Sequence, residues 1–330
     1  MAAQTIAVIG ETREGALIPE VAEVVALAQQ LAGGNGRVAG ILAGSPEVEY
    51  AAQGFFALGA QEAYAAAHPA LAFPPDPEAH AAALLAMCRR ADAGVVLIPQ
   101  TPYGRSIAPL LAYGLQASLL MNCIGARWAD GSGTLEVDCP VYGGAATATY
   151  RCSPGAAVVL CVSPGAIAAS PAQAAASGGV VAVSVTLEGA APRVRVTRRA
   201  AGEGQRLESA RIIVAGGAGL QSQENWRRVT ELAALLGGVP AASKQAIVAG
   251  WATPAHKVGL TGTTVAPDLY LAVGISGASQ HMVGCSRAKT IVAVNTDRQA
   301  PVFRHAKYGV VADAGAFLPA FLAACKDMQK

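Results

Sequence analysis

The sequence has little charge and few aromatic residues. Charged side chains make up 14% and aromatic ones 5% of the 330 residues, and the formal net charge is +2. So small a net charge gives no electrostatic footprint for a nucleic acid or an anionic membrane, and we expect neither as a partner. With 53% hydrophobic residues, the low charge indicates instead that another subunit covers part of the surface.

Targeting signals, long apolar runs and cysteine motifs are also missing. Residues 1–10 contain no basic segment followed by an apolar segment of secretory length, and no apolar stretch of helical character reaches about 18 residues. We therefore expect a cytoplasmic protein without direct membrane insertion. The seven cysteines form no C-x-x-C pair, which predicts buried, reduced thiols and no metal site.

The length of the chain predicts two domains. In the first half, short apolar runs alternate with helical patterns, which favours an α/β domain with a parallel sheet over residues 1–200. Further strands are expected at Val180 to Leu187 and Val194 to Thr197. The polar segment from Arg198 to Gln205 is a predicted linker, and a new apolar strand at residues 211–215 opens a second domain over residues 206–330.

Glycine-rich or polar segments follow the predicted strands of the second domain. The small-residue turn from Gly274 to Ser279 is typical of a turn that presents backbone N–H groups to an anion. Because the carboxyl ends of strands in an open α/β sheet converge on one crevice, the pattern predicts a nucleotide cofactor site. The fingerprint G-x-G-x-x-G is absent, and no convincing acid or base for hydride transfer is present, which disfavours a nicotinamide oxidoreductase.

The segment from Arg211 to Leu318 resembles the C-terminal FAD-binding domain of the electron transfer flavoprotein alpha subunit. The N-terminal half is similar to that subunit's first domain less sharply, chiefly in its element order and at Pro99 to Arg105. The resemblance in the C-terminal half rests on the ordered motifs Gly216-Gly217-Ala218-Gly219-Leu220, Ala242-Ser243-Lys244, Lys257-Val258-Gly259-Leu260-Thr261-Gly262, Val265-Ala266-Pro267-Asp268-Leu269-Tyr270, Gly274 to His281, Ile291 to Asn295 and Tyr308-Gly309-Val310-Val311-Ala312-Asp313.

The resemblance implies an electron carrier without substrate chemistry or catalytic residues of its own. The second domain is then a Rossmann-like FAD-binding domain, and the first packs against a separate beta subunit that carries AMP, or a second FAD in electron-bifurcating members. By the same resemblance, we expect FAD to take electrons from a donor dehydrogenase and to pass them to a quinone oxidoreductase.

The resemblance also implies a role for each matching residue. Ser276, with the backbone of Gly277, Ala278 and Ser279 and with Gln280, is expected to hold the pyrophosphate and ribityl region. Asn295, Asp313 and the adjoining Ala314 are expected at the adenosine end. The remaining residues are expected at the isoalloxazine: Val258, Gly259 and Thr261 against the ring with the Thr261 hydroxyl near N5, His281 at the pyrimidine carbonyl, and Ser243 with Lys244 beside them.

Three positions depart from the family pattern. Ala218 stands where many alpha subunits have arginine, Lys244 replaces a usual arginine and Leu260 a frequent glutamine. Lysine lacks the planar fork of arginine, and the leucine side chain cannot form a hydrogen bond. These departures leave open a docking or scaffold subunit with weakened FAD binding, and an electron-bifurcating variant is a further alternative.

Each site residue also has a structural alternative when it is taken alone. Ser276 could cap the following helix, and His281 could be a hydrogen-bonded core histidine. Thr261, Asn295 and Asp313 could be ordinary turn residues. Only their ordered combination favours a cofactor site.

Overall fold

The structure is a computed structural model that describes residues 5–72, 76–129, 133–144, 146–169, 178–187 and 207–328. The chain divides into two compact units: Met1–Val141 with Thr147–Ala200, and Tyr142–Ala146 with Ala201–Lys330. The predicted linker from Arg198 to Gln205 and the predicted strand from Val194 to Thr197 lie outside the described residues. The domain limits therefore stay a prediction.

The first unit is an α/β layer structure. Its helices are α1 (Pro19–Ala32), α2 (Val48–Ala52), α3 (Gly54–Ala57), α4 (Pro77–Arg90) and α5 (Pro102–Leu115). Its strands are β1 (Thr5–Ile9), β2 (Thr12–Arg13), β3 (Ala16–Leu17), β4 (Arg37–Gly44), β5 (Glu62–Ala67), β6 (Ala93–Pro99), β7 (Ser118–Cys123), β8 (Gly125–Trp128), β9 (Leu135–Val141), β10 (Ala146–Cys152), β11 (Val158–Val162) and β12 (Val180–Ala182).

Seven of these strands form a parallel sheet in the order β12-β5-β4-β1-β6-β11-β7. Every residue of β1 and β11 is buried, because the sheet is covered on both faces. One face packs on α1 and the other on α4 and α5. Strands β10, β9 and β8 form a smaller sheet.

The strand predicted from Val180 to Leu187 is shorter than the pattern indicates. It pairs with β5 only from Val180 to Ala182, which lies opposite Ala65, although β5 itself continues to Ala67. Val183, Val185 and Leu187 still pack on the core beside α4 and α5, which explains their alternating apolar pattern.

The second unit is a doubly wound α/β structure, which confirms the predicted fold class. Its strands lie parallel in the order β14-β13-β15-β16-β17, so the winding reverses between β13 and β15. The elements are β13 (Ile212–Gly216), α6 (Gln223–Leu235), β14 (Val239–Ala242), α7 (Lys244–Val248), β15 (Leu269–Val273), α8 (Ser279–Met282), β16 (Thr290–Asn295), β17 (Tyr308–Val311) and α9 (Ala314–Met328).

Helix α6 follows the first glycine-rich turn of this unit. Its apolar positions, Trp226, Val229, Leu232 and Ala233, recur on one face and are buried against the sheet. Ser222 begins the helix as its N-cap, since the Asn225 N–H donates to the Ser222 hydroxyl at 3.2 Å.

Two structural features are absent from the described residues. Among them, no helix is both long and apolar enough to cross a membrane. No group of three or more His, Cys, Asp or Glu side chains in the same ranges is arranged to hold a metal ion. The seven cysteines are free thiols, and six of them are buried.

The cap at Ser222 gives a stability prediction. Ser222→Ala leaves the Asn225 N–H without its partner, so we expect the second unit to lose about 1 kcal/mol of unfolding free energy in denaturant titrations. Ser243→Ala is the matched control, because Ser243 precedes α7 without a side-chain capping bond. Equal losses in the two variants would contradict the assignment.

Candidate functional site

The centre of the candidate site is the switch point between β13 and β15. There the Gly217 N–H donates to the Val273 carbonyl and the Gly219 N–H to the Gly274 carbonyl, both at 2.9 Å. A Cβ on Gly217 would lie 2.3 Å from the Gly274 oxygen. The glycines of the first turn are therefore needed for close contact with the second turn, and the exposed Ala218 lies beside that contact.

The turn after β15 carries the unpaired donors of the site. Within the described ranges, the six consecutive N–H groups of residues 275–280 donate to no acceptor. Gly277 has a φ of 84° and lies so close to Val302 that a Cβ would come 2.1 Å from the Val302 nitrogen. The Val302 N–H in turn donates to the Ser276 carbonyl at 3.1 Å. A run of unpaired amides at the end of a buried central strand fits an anion such as a diphosphate.

We call residues 275–280 the amide cradle. Four of its six residues, Ser276, Ala278, Ser279 and Gln280, are exposed, so solvent or a ligand reaches this turn. Because unpaired backbone groups normally find a partner, the cradle is a place where a cofactor's oxygens can take over from water.

A second loop, residues 258–261, is hydrogen-bonded to the cradle. The Leu260 N–H donates to the Gln280 carbonyl at 2.7 Å, and the Val258 N–H donates to the Ala242 carbonyl at 3.1 Å. Val258 and Gly259 are buried, whereas Leu260 and Thr261 are exposed. The Lys257 ammonium donates to the Thr261 hydroxyl oxygen at 2.7 Å. Sequence reasoning missed Lys257 as a site residue, because a spacing of four residues has no fixed meaning outside a helix.

Ser243 and Lys244 lie at the next strand end. The Ser243 N–H donates to the Gly216 carbonyl at 3.0 Å, which attaches the start of α7 to the end of β13. The Lys244 side chain is exposed. It makes no ion pair in the part of the chain that the structure describes, so its charge is available to an anion.

Asn295 and Asp313 both form hydrogen bonds that serve the local fold. The Asn295 amide donates to the Ile275 carbonyl at 2.9 Å and accepts from the Asp297 N–H at 2.9 Å. One oxygen of the exposed Asp313 accepts from the N–H groups of Gly315 and Ala316, which caps α9. Its other oxygen makes no hydrogen bond within the described ranges, while Ala314 is buried.

His281 directly follows the cradle in the sequence, but its side chain is buried instead of exposed to solvent. It is buried, and its Nε2 lies 2.9 Å from the Tyr270 hydroxyl. Burial lowers the pKa of His281 to about 4, although the Val258 backbone opposes the shift. Nδ1 is buried and has no hydrogen-bond partner of normal geometry in the described part of the chain. His281 is therefore neutral near pH 7, and a charge-assisted bond from it to a flavin carbonyl stays a prediction that requires the ring to move.

Tyr270 is the second residue that sequence reasoning missed at this site. It is fully buried in β15, where its apolar neighbours conceal it as a core residue. The available signal is that a buried tyrosine hydroxyl needs a partner, and His281 follows eleven residues later.

A doubly wound parallel sheet with an amide cradle at its switch point is typical of nucleotide-binding proteins. A family model described as "Electron transfer flavoprotein FAD-binding domain" matches residues 206–286, and one described as "Electron transfer flavoprotein domain" matches residues 6–188. The chain belongs to the electron transfer flavoprotein family, which confirms the resemblance and supports FAD as the cofactor.

Individual relatives agree with this assignment. The chain is 33% identical to the "Electron transfer flavoprotein subunit alpha" of Thermoanaerobacterium thermosaccharolyticum over 98% of each chain. It is 32% identical to the protein of the same name from Bacillus subtilis over 95% of each chain. It is 37% identical to "Protein FixB" of Escherichia coli (strain K12 / DH10B), covering 70% of this chain and 73% of that protein.

The depressed pKa of His281 predicts a pH-dependent stability. The pKa of about 4 in the folded chain lies below the ordinary value of 6.5. As the pH falls from 6.5 towards 4, the unfolded chain therefore binds a proton at His281 that the folded chain does not bind. We expect the unfolding free energy of the wild type to fall by about 2 kcal/mol more than that of His281→Gln between pH 7.5 and pH 5, by denaturant titration.

The matched control for this measurement is His305→Gln, which replaces an exposed histidine of the same unit. His80, another buried histidine with a lowered pKa, is present in all three proteins and cancels in the comparison. The same loss of stability in wild type and His281→Gln would contradict the burial of a neutral His281.

Proposed function

We propose that this chain is the alpha subunit of a heterodimeric electron transfer flavoprotein that accepts electrons from a donor dehydrogenase and passes them to a quinone oxidoreductase. The amide cradle is the observation that carries the proposal, because six consecutive unpaired N–H groups beside an exposed hydroxyl suit the diphosphate of FAD. Similarity to alpha subunits over nearly the whole chain supports it.

Bound FAD supplies the redox chemistry, and the residues of this chain supply its binding and electrostatics. The cradle amides, with Ser276 and Gln280, would hold the diphosphate and ribityl region. The free Asp313 oxygen would accept a hydrogen bond from a ribose hydroxyl, next to Asn295. The buried Val258 and Gly259 would form one wall of the flavin pocket.

The polar edge of the flavin would face Thr261 and the exposed Lys244. Lys244 would supply positive charge, although without the bidentate geometry of arginine. Ala218 would add no charge to the phosphate region. His281, if it contacts the flavin, would do so as a neutral imidazole, since burial lowers its pKa.

This role requires no catalytic residue in the chain. The redox chemistry of electron transfer would be that of FAD itself. A beta subunit carrying AMP would be the obligate partner. In a bifurcating variant, the beta subunit would carry a second FAD instead.

A docking or scaffold subunit is the second candidate function. Ala218 and the 64% exposed Leu260 favour it, because both put an apolar side chain where the resemblance leads us to expect a polar one. The intact cradle, Thr261 and the free Asp313 oxygen favour the electron carrier.

Co-expression of this chain with its beta subunit separates the two candidates. We expect a yellow heterodimer with one FAD per copy of this chain, beyond any FAD on the beta subunit, measured by absorbance after release and chromatographic quantification. A folded heterodimer in which this chain takes up no FAD, even with added cofactor, would refute the carrier and favour the scaffold.

The geometry of Gly277 gives a sharper prediction for the cradle. In Gly277→Ala, the new methyl group must displace Val302, and the alanine backbone must adopt a φ of 84°. We expect the cradle to open and the affinity for FAD to fall at least about tenfold. Isothermal titration of FAD into the heterodimer measures the loss.

Gly237→Ala is the control, because Gly237 has a comparable φ of 67° but nothing within 4 Å of a Cβ and lies in the turn after α6. If both variants retain the affinity of the wild type, the cradle is not the phosphate site.

A further inference from the structure

Lys257 is a half-buried lysine whose ammonium group donates a hydrogen bond to one hydroxyl group. Its backbone is fixed on both sides: the Lys257 N–H donates to the Pro254 carbonyl at 3.1 Å, and its carbonyl accepts from the Thr263 N–H at 2.8 Å. A parallel bridge also joins Lys257 to Ala242 at the end of β14. The lysine therefore starts from a well-defined position in the loop.

Gly262 provides the space for the lysine side chain. A Cβ at Gly262 would lie 2.8 Å from the Lys257 Cγ and 2.5 Å from the Lys257 carbonyl oxygen. The side chain thus passes over a bare α-carbon and reaches Thr261, where Nζ lies 2.7 Å from Oγ1.

This contact fixes the direction of the Thr261 hydroxyl group. An ammonium group has three donors and no acceptor, so the Thr261 oxygen must accept. The hydroxyl hydrogen is then left for another acceptor, and Thr261 has no second side-chain hydrogen bond in the described part of the chain. Because Thr261 is exposed, that acceptor comes from outside the chain.

The charge of Lys257 also lacks a counterion. Four other cations of the second unit are paired with carboxylates, namely Arg211 and Lys289 with Asp268, Arg228 with Glu224, and Lys326 with Glu231, whereas Lys257, like Lys244, is not paired in the part of the chain that the structure describes. Lys257 is half-buried, and among the described residues no carboxylate lies within ion-pair distance of it. Lys257 therefore places an uncompensated positive charge beside the exposed Thr261 hydroxyl.

We propose that Lys257 is a positioning residue that turns the Thr261 hydroxyl into a hydrogen-bond donor to the flavin and favours the reduced, more electron-rich state of the cofactor. The inference rests on the proposed function. A donor whose oxygen already accepts from a cation is polarised, and its bond to an acceptor gains strength as that acceptor becomes more negative. Lys257 thereby supplies polarity beside Leu260, which cannot form a side-chain hydrogen bond.

The test uses the heterodimer with the beta subunit and FAD as the probe. The variants are Lys257→Met, Lys257→Arg, Thr261→Val and the double variant Lys257→Met with Thr261→Val. Lys326→Met is the matched control, because it removes a surface lysine of α9 that is paired with Glu231 of α6. Thermal unfolding checks that each protein folds, and anaerobic titration against reference dyes gives the reduction potential of the bound flavin.

We expect Lys257→Met to weaken binding of the reduced relative to the oxidised flavin about tenfold, which lowers a one-electron potential by about 59 mV. Lys257→Arg should retain most of the wild-type potential. Thr261→Val should also lower the potential, and adding Lys257→Met to it should produce a smaller shift than in the wild type. Lys326→Met should leave the potential unchanged.

Three outcomes would overturn the inference: an unchanged potential in Lys257→Met, a shift of the same size with and without the Thr261 hydroxyl, or an equal shift in Lys326→Met. In each of these cases the wild type still binds FAD, so the proposed function remains supported. A wild-type heterodimer whose FAD site stays empty would overturn both.

Discussion

The contact between the turn after β13 and the turn after β15 determines the rest of the candidate site. Gly217 and Gly219 of the first turn donate their N–H groups to carbonyls of the second, and the glycines allow the two backbones to touch. These N–H groups of the first turn are therefore occupied by the protein. The neighbouring turn, at residues 275–280, keeps its amides free. Under the proposed function, phosphate binding, which is usual for the first βα turn, would fall to the turn on the other side of the switch point.

The same arrangement explains how the other loops reach the site. Gln280 accepts from the Leu260 N–H, which links the cradle to the loop of Thr261, and Asn295 donates to the Ile275 carbonyl, which links it to β16. One hydrogen bond between backbone groups and one from the Asn295 side chain thus join loops that lie apart in the sequence. The side chains that would meet a flavin are thus held by hydrogen-bonded loops. Because there is no arginine at Ala218, the positive charge near the flavin would come from Lys244 and Lys257. Leu260 would add no polar side chain.

Sequence patterns could predict the fold because they follow from burial and from local hydrogen bonding. The all-buried strands β1 and β11 and the one-sided apolar face of α6 need little information beyond periodicity. The contacts of individual side chains could not be predicted in this way. The burial of His281 against Tyr270 depends on how a helix of four residues packs below a turn, and the Lys257 contact depends on the bare α-carbon of Gly262. Neither leaves a periodic signal, although both residues lie inside segments that resemble the family.

The central claim is that the amide cradle binds the diphosphate of FAD. Hydrogen–deuterium exchange of the heterodimer, with and without FAD, tests it most directly, because it reports on those backbone N–H groups themselves. The account predicts that peptides covering residues 275–280 exchange measurably more slowly when FAD is bound, since their unpaired amides gain acceptors. Unchanged exchange in these peptides, with protection confined to other parts of the chain, would contradict it.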